Sequence, residues 1–229
     1  MAVLDHYENS GDRNLLSRAY YYAGSVAYDL GDAPAGVEYF QRAMDALADT
    51  TDLQFRSALN FRIGFLLLDQ CVYEPSLEYF KTSYMLEQQR KDTLMMIYCL
   101  EKQAFAFGDS HFGDSALYYF DKAKSLAETL KDSVLVKRIS ASMASYYLEI
   151  NNYAKADNCL RPYLKYVNHI DKIPFYSMMA EVCINTRRYE EAYPYCVEML
   201  EKGTLYSRMN ACRLLIEYHS ARNDVRNAS

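Results

Sequence analysis

The chain repeats itself every 40 residues: Gly24, Gly64, Ala104 and Ala144 are small residues at that strict spacing. Phe40, Phe80, Phe120 and Leu160 follow at the same spacing, 16 residues further along. Gly36, Ser76, Ala116 and Ala156 form a third small row between them. Self-similarity at a period of roughly 20 to 50 residues marks stacked supersecondary units, not a closed globule. Each unit then leans on its neighbours, and the array presents a long surface.

Within each copy the apolar residues recur at helical spacing. Tyr20, Ala23, Gly24, Ala27 and Leu30 make one stripe. Val37, Phe40, Ala43, Met44 and Leu47 make a second after a short turn at Asp32-Ala33. Asp49 to Asp52 is a polar break carrying N-cap residues, and the pattern restarts beyond it. Strand signals are nearly absent. The pattern predicts an all-α chain of antiparallel helix pairs, one domain over 1–229, with repeats at about 14–50, 53–90, 93–130, 133–168 and 172–202. In the fifth copy the step shortens to 36, since Ala192 answers Ala156 and Ala180 answers Ala144. Val3, Leu4 and Tyr7 read as the end of an earlier second helix, and 204–222 as a sixth first helix. Neither end carries a convincing polar cap. The expectation is a fragment of a longer protein, with uncapped ends that leave self-association open.

Bulk composition removes several classes of function. A net charge of -5 and a pI near 5.4 lack the basic field that nucleic acid or an anionic membrane surface needs. No stretch approaches the length of apolar chain that spans a bilayer. No signal peptide is visible at Met1. The compartment is therefore unassigned: cytoplasmic by default, periplasmic if a removed signal or anchor precedes the chain. Six cysteines, at irregular spacing and without a C-x-x-C pair, read as free thiols acting as small core hydrophobes. Cys183 and Cys196 fall on paired helices of one unit and are the pair best placed for a bridge.

The repeats resemble the tetratricopeptide family. Leu30-Gly31-Asp32 with Gly36, Phe40 and Ala43-Met44 fits its pattern in the first copy. Tyr73, Ser76 and Phe80 fit in the second, and Ala116, Phe120 and Ala123 in the third. Asn152-Tyr153 with Ala156 fits in the fourth, and Arg188-Tyr189 with Ala192 in the fifth. The usual unit is about 34 residues, so four of these units are longer by about six. Trp and the closing proline are missing. The resemblance implies a right-handed superhelical α-solenoid whose first helices line a concave groove.

No nucleotide, hydrolase or metalloprotease motif is present. His6, His111, His169 and His219 are scattered, so no metal and no cofactor is expected. Asp109 and His111, close together in a turn, are the one place where an unrecognised catalytic site could stand. Asp29, Asp69, Asp109 and Glu149 recur at the 40-residue spacing near the ends of first helices. Acids there oppose the helix dipole and cost stability. With Tyr21, Tyr28, Phe61, Phe65 and Phe105 they would make an aromatic groove with an acidic rail. Such a surface suits a protein or peptide segment with Lys or Arg and apolar anchors. Solvated helix ends kept for solubility are the bland alternative. The clamp that some relatives use on C-terminal carboxylates is excluded, because its places hold Tyr21, Ser25, Asp29, Phe61, Phe65 and Asp69. Arg187-Arg188, followed by Glu190-Glu191, reads as a solvated charge cluster. The resulting expectation is a non-catalytic binding scaffold, the sensory or regulatory repeat region of a larger signalling protein.

Overall fold

A computed structural model describes residues 2–9, 11–49, 51–110, 113–166 and 172–227. The described residues form twelve α-helices and one 3-10 helix, with no strand. They gather into two compact units, 1–132 and 133–229. In the first, α1 (Ala2–Glu8) precedes three helix pairs. These are α2 (Arg13–Asp29) with α3 (Ala33–Ala46), α4 (Leu53–Asp69) with α5 (Tyr73–Arg90), and α6 (Thr93–Asp109) with α7 (Gly113–Thr129). In the second, α8 (Ser133–Glu149) pairs with α9 (Tyr153–Leu160), which runs on as a 3-10 helix (Arg161–Tyr166). There α10 (Lys172–Asn185) pairs with α11 (Tyr189–Lys202), and α12 (Leu205–Asn227) packs on both. Within each unit every helix lies beside its sequence neighbour, as in an α-solenoid.

The helix ends follow from side-chain chemistry. Asp12, Asp32, Asp52, Asp92 and Asn152 each accept a hydrogen bond from the backbone N–H three residues on. That satisfies a donor the helix leaves orphaned. At the other end of α2, Gly31 N–H bonds Tyr28 O at 2.8 Å and Asp32 N–H bonds Ala27 O at 2.9 Å. This double closure needs a left-handed residue, and Gly31 supplies it with φ +83°.

Packing explains the three rows. A Cβ on Gly24 would stand 2.9 Å from the Phe40 ring and 3.1 Å from Gly36 O, and one on Gly36 would stand 3.3 Å from Gly24 O. The two helices meet backbone to backbone there. Phe40, Phe80 and Phe120 are completely buried against the small residues. Polar atoms in the same seams are satisfied: Ser57 and Ser83 share a hydrogen bond of 2.8 Å, and the Cys99 thiol lies 3.3 Å from Ser83 Oγ.

The free-thiol reading holds for Cys183 and Cys196, which are buried and unbridged, while two other expectations need correction. Burial pushes the Cys183 and Cys196 thiols up to about 12 and about 11, so they stay protonated and inert. Cys71 and Cys212 are exposed and are not core hydrophobes. Arg188 is not simply solvated either. It bonds Asp157 at 3.1 Å and Glu191 at 3.2 Å, while Arg161 reaches the same two acids at 3.0 and 2.9 Å. The four charges tie α9 to α11.

Candidate functional site

The acidic row occupies one register. Asp29, Asp69 and Asp109 are the last residues of α2, α4 and α6, and all three are exposed. Glu149 ends α8 in the other unit and is exposed as well. Their surroundings differ. Asp29 lines a hollow of about 100 Å³ together with Tyr28, Phe65 and Arg62. Asp109 instead lines a wide, open hollow with Tyr73 and Glu74 of the first turn of α5. Partial burial there raises its carboxyl pKa. Tyr73 is pushed up to about 12, first by its hydrogen bond to Cys71 and then by burial and the nearby charges. His111 lies outside the described residues, so no geometry joins it to Asp109. Among the described residues no three His, Cys, Asp or Glu side chains gather into a metal-binding group. His6 and His219 are exposed and meet the adjacent Tyr7 and Tyr218 edge-on.

The five aromatics are half-buried, and they separate into two layers. Tyr21, Phe61 and Phe105 set their rings on the second-helix row, at 5.4 Å from Phe40, 5.6 Å from Phe80 and 5.3 Å from Phe120. Tyr28 instead meets Phe65 edge-on across α2 and α4 at 5.8 Å. Phe65 and Phe105 are joined through a residue that the sequence reading passed over. The Lys102 ammonium stands 5.1 Å from the Phe65 ring centre and 5.5 Å from that of Phe105. Arg62 holds the equivalent place one repeat earlier. The face of α2, α4 and α6 therefore carries cations among its rings as well as acids at its edge. Positions 62 and 102 differ by one repeat, so the 40-residue spacing marks these cations as it marks the acids.

A further hollow of about 270 Å³ lies between α2 and α4, where Arg18 bonds Asp52 at 3.0 Å and spreads over the Phe55 ring at 4.8 Å. Tyr21 forms its wall, 5.5 Å from Phe55. No described helix is long and apolar enough to cross a membrane.

No protein-family model and no curated protein sequence matches the chain. Solved structures do. Aspartyl phosphate phosphatase F from Bacillus subtilis superposes with a TM-score of 0.83 at 16% identity, over 96% of this chain and 60% of that one. A Rap protein complexed with competence and sporulation factor gives 0.71 at 13% identity, over 94% and 60%. A thermophilic TPR protein of Thermus thermophilus gives 0.60 at 20% identity, over 87% and 99%. The fold is the tetratricopeptide-like helical solenoid that the repeat rows implied. The chain spans 60% of the length of the first two structures.

Proposed function

We propose that the chain is a non-catalytic binding module for a peptide or protein segment, the sensory or scaffolding region of a larger regulator. The site is the first-helix face of residues 1–132, and the occupant is an apolar segment carrying Lys or Arg. The observation that carries this reading is the Tyr28–Phe65 pair with Asp29 at its hollow. A half-buried aromatic pair beside a carboxylate offers a partner's cation a ring surface and a counter-charge together. Residues 1–132 support it with 12 Lys and Arg against 20 Asp and Glu, a net of -8. The complex of a Rap protein with competence and sporulation factor gives a precedent for ligand binding on this fold. The phosphatase named for another neighbour is that protein's own activity.

The test is a fluorescence titration of the whole chain with a labelled Arg/Leu peptide and its Glu/Leu counterpart. The basic peptide binds tighter, and Asp29→Asn weakens it by roughly two- to five-fold, the scale of an exposed ion pair. Equal affinity for both peptides, or indifference to the substitution, removes this site.

A second reading rests on α12. Leu205, Tyr206, Met209 and Ile216 are all exposed along this helix. Exposed apolar side chains gathered on one helix can supply an association surface. It would join copies of the chain, and Ile216→Glu should abolish any concentration-dependent dimer seen by sedimentation. A monomer at every concentration ends that reading.

A further inference from the structure

The hollow between α2 and α4 has a counterpart three repeats later with its chemistry inverted. We propose that this counterpart, between α8 and α10 in residues 133–229, is a separate binding site for a carboxylate carried beside an apolar group. Its cavity of about 200 Å³ is lined by Lys137, Arg138, Ala141, Pro174, Phe175 and Met178. Arg138, Ala141 and Phe175 stand 120 residues after Arg18, Tyr21 and Phe55.

Three substitutions between the hollows change what each can hold. First, Tyr21 covers Phe55 in the earlier hollow, and the same place in the next two first helices holds Phe61 and Glu101. In α8 it holds Ala141. Ala141 puts no ring on that wall, and the cavity there is bordered by Pro174, Met178 and Phe175, the last 3% exposed. A cavity of about 150 Å³ with apolar walls accepts benzene, so this one has room for an aromatic or branched aliphatic group. Second, the place of Lys137 holds Ser17, Ser57 and Ile97 in the earlier helices. A lysine there is 8% exposed, so a cation is drawn into the wall where the array elsewhere keeps small or apolar residues. Burying a charge is costly unless something compensates it, and a bound anion strengthens that compensation. Third, the acid that pairs with Arg18, Asp52, is replaced by Lys172. The Lys172 ammonium is turned to Glu198, 2.5 Å away.

The net charge of the unit agrees. Residues 133–229 carry 13 Lys and Arg against 10 Asp and Glu, a net of +3, where residues 1–132 are strongly acidic. Lys137 and Arg138 are consecutive on α8 and both line the cavity. An apolar group fills the cavity over Phe175, and its carboxylate meets the two cations in a low-dielectric rim, where charge-assisted hydrogen bonds are strong. Either an acidic-apolar peptide segment or a small amphiphilic acid has this chemistry.

The experiment uses the whole chain with methyl-labelled methionine and follows the Met178 signal by NMR. The probes are 3-phenylpropionate, its neutral amide, and the peptide acetyl-Gly-Asp-Phe-Gly-amide. The acid moves the Met178 methyl saturably and binds at least ten-fold tighter than the amide. Arg138→Gln removes that preference. Ala141→Phe fills the cavity and removes binding of both, and the milder Ala141→Leu weakens it if the larger residue prevents folding. Tighter binding of the peptide assigns a segment as the ligand, and tighter binding of 3-phenylpropionate assigns a small acid. Equal affinity of acid and amide, or no saturable shift, overturns the proposal. Asp29→Asn leaves the Met178 titration unchanged, so this site and the groove of residues 1–132 stand or fall separately.

Discussion

Glycines in this chain serve two different physical needs, and substitution separates them. Gly31 sits at φ +83° with nothing within 4 Å of where its Cβ would be. Gly31→Ala therefore meets only backbone strain and costs about 1 kcal/mol. Gly24 is helical, but its Cβ would press on Phe40 at 2.9 Å. Gly24→Ala costs about 1–3 kcal/mol by overpacking, partly offset by the better helix propensity of alanine. Guanidinium unfolding measures both; a stabilised Gly24→Ala would show that the pair has room to part. Asp109 gives a residue-scale pH dependence. Partial burial raises its folded-state pKa above the unfolded value. Its favourable contribution is complete below the unfolded carboxylate pKa and is lost as pH rises through the raised one. Asp109→Asn should thus raise the melting temperature at neutral pH and leave it unchanged in acid. An equal effect at both pH values would point to packing instead of charge.

At the scale of the element, the rows in the sequence carry most of the fold. Small residues and phenylalanines at fixed spacing mark where α2 meets α3 and α4 meets α5, because close packing admits few solutions at those contacts. Phe80 shows what the row is worth. It is wholly buried, so Phe80→Ala should cost about 3–5 kcal/mol. In an array where each pair touches only its neighbours, the lost hydrogen-exchange protection should concentrate in α4, α5 and α6. Uniform loss through residues 133–229 would contradict nearest-neighbour stability. The sites were less legible than the helices. The acids at 29, 69 and 109 share a register, yet Asp29 faces Phe65 while Asp109 faces α5. A helix end fixes where a residue begins, not which neighbour its flexible side chain meets. Lys102 and Arg62 were missed because they interrupt an aromatic pattern that reads well without them. The link through Arg161, Asp157, Arg188 and Glu191 was misread because its partners lie about 30 residues apart in the chain.

For the whole molecule, charge separates the two compact units more sharply than the net value suggests. A total of -5 divides into -8 for residues 1–132 and +3 for residues 133–229. A modest overall charge thus conceals two surfaces of opposite preference, and ionic strength can distinguish them. Attraction of a basic peptide to the acidic face is spread over exposed groups such as Asp29 and Asp69. It should weaken steeply as the Debye length falls from about 30 Å at 0.01 M salt to about 8 Å at 0.15 M. The pocket of α8 and α10 holds its cations at an apolar wall, with Lys137 largely withdrawn from water. Buried or partly buried pairs are screened much less, and the apolar part of binding strengthens with excluded salts. The Met178 titration with 3-phenylpropionate should therefore shift far less across the same salt range than the basic-peptide titration. If both fall in parallel, the carboxylate is meeting solvated cations at the surface, and the missing ring at Ala141 plays no part in holding it.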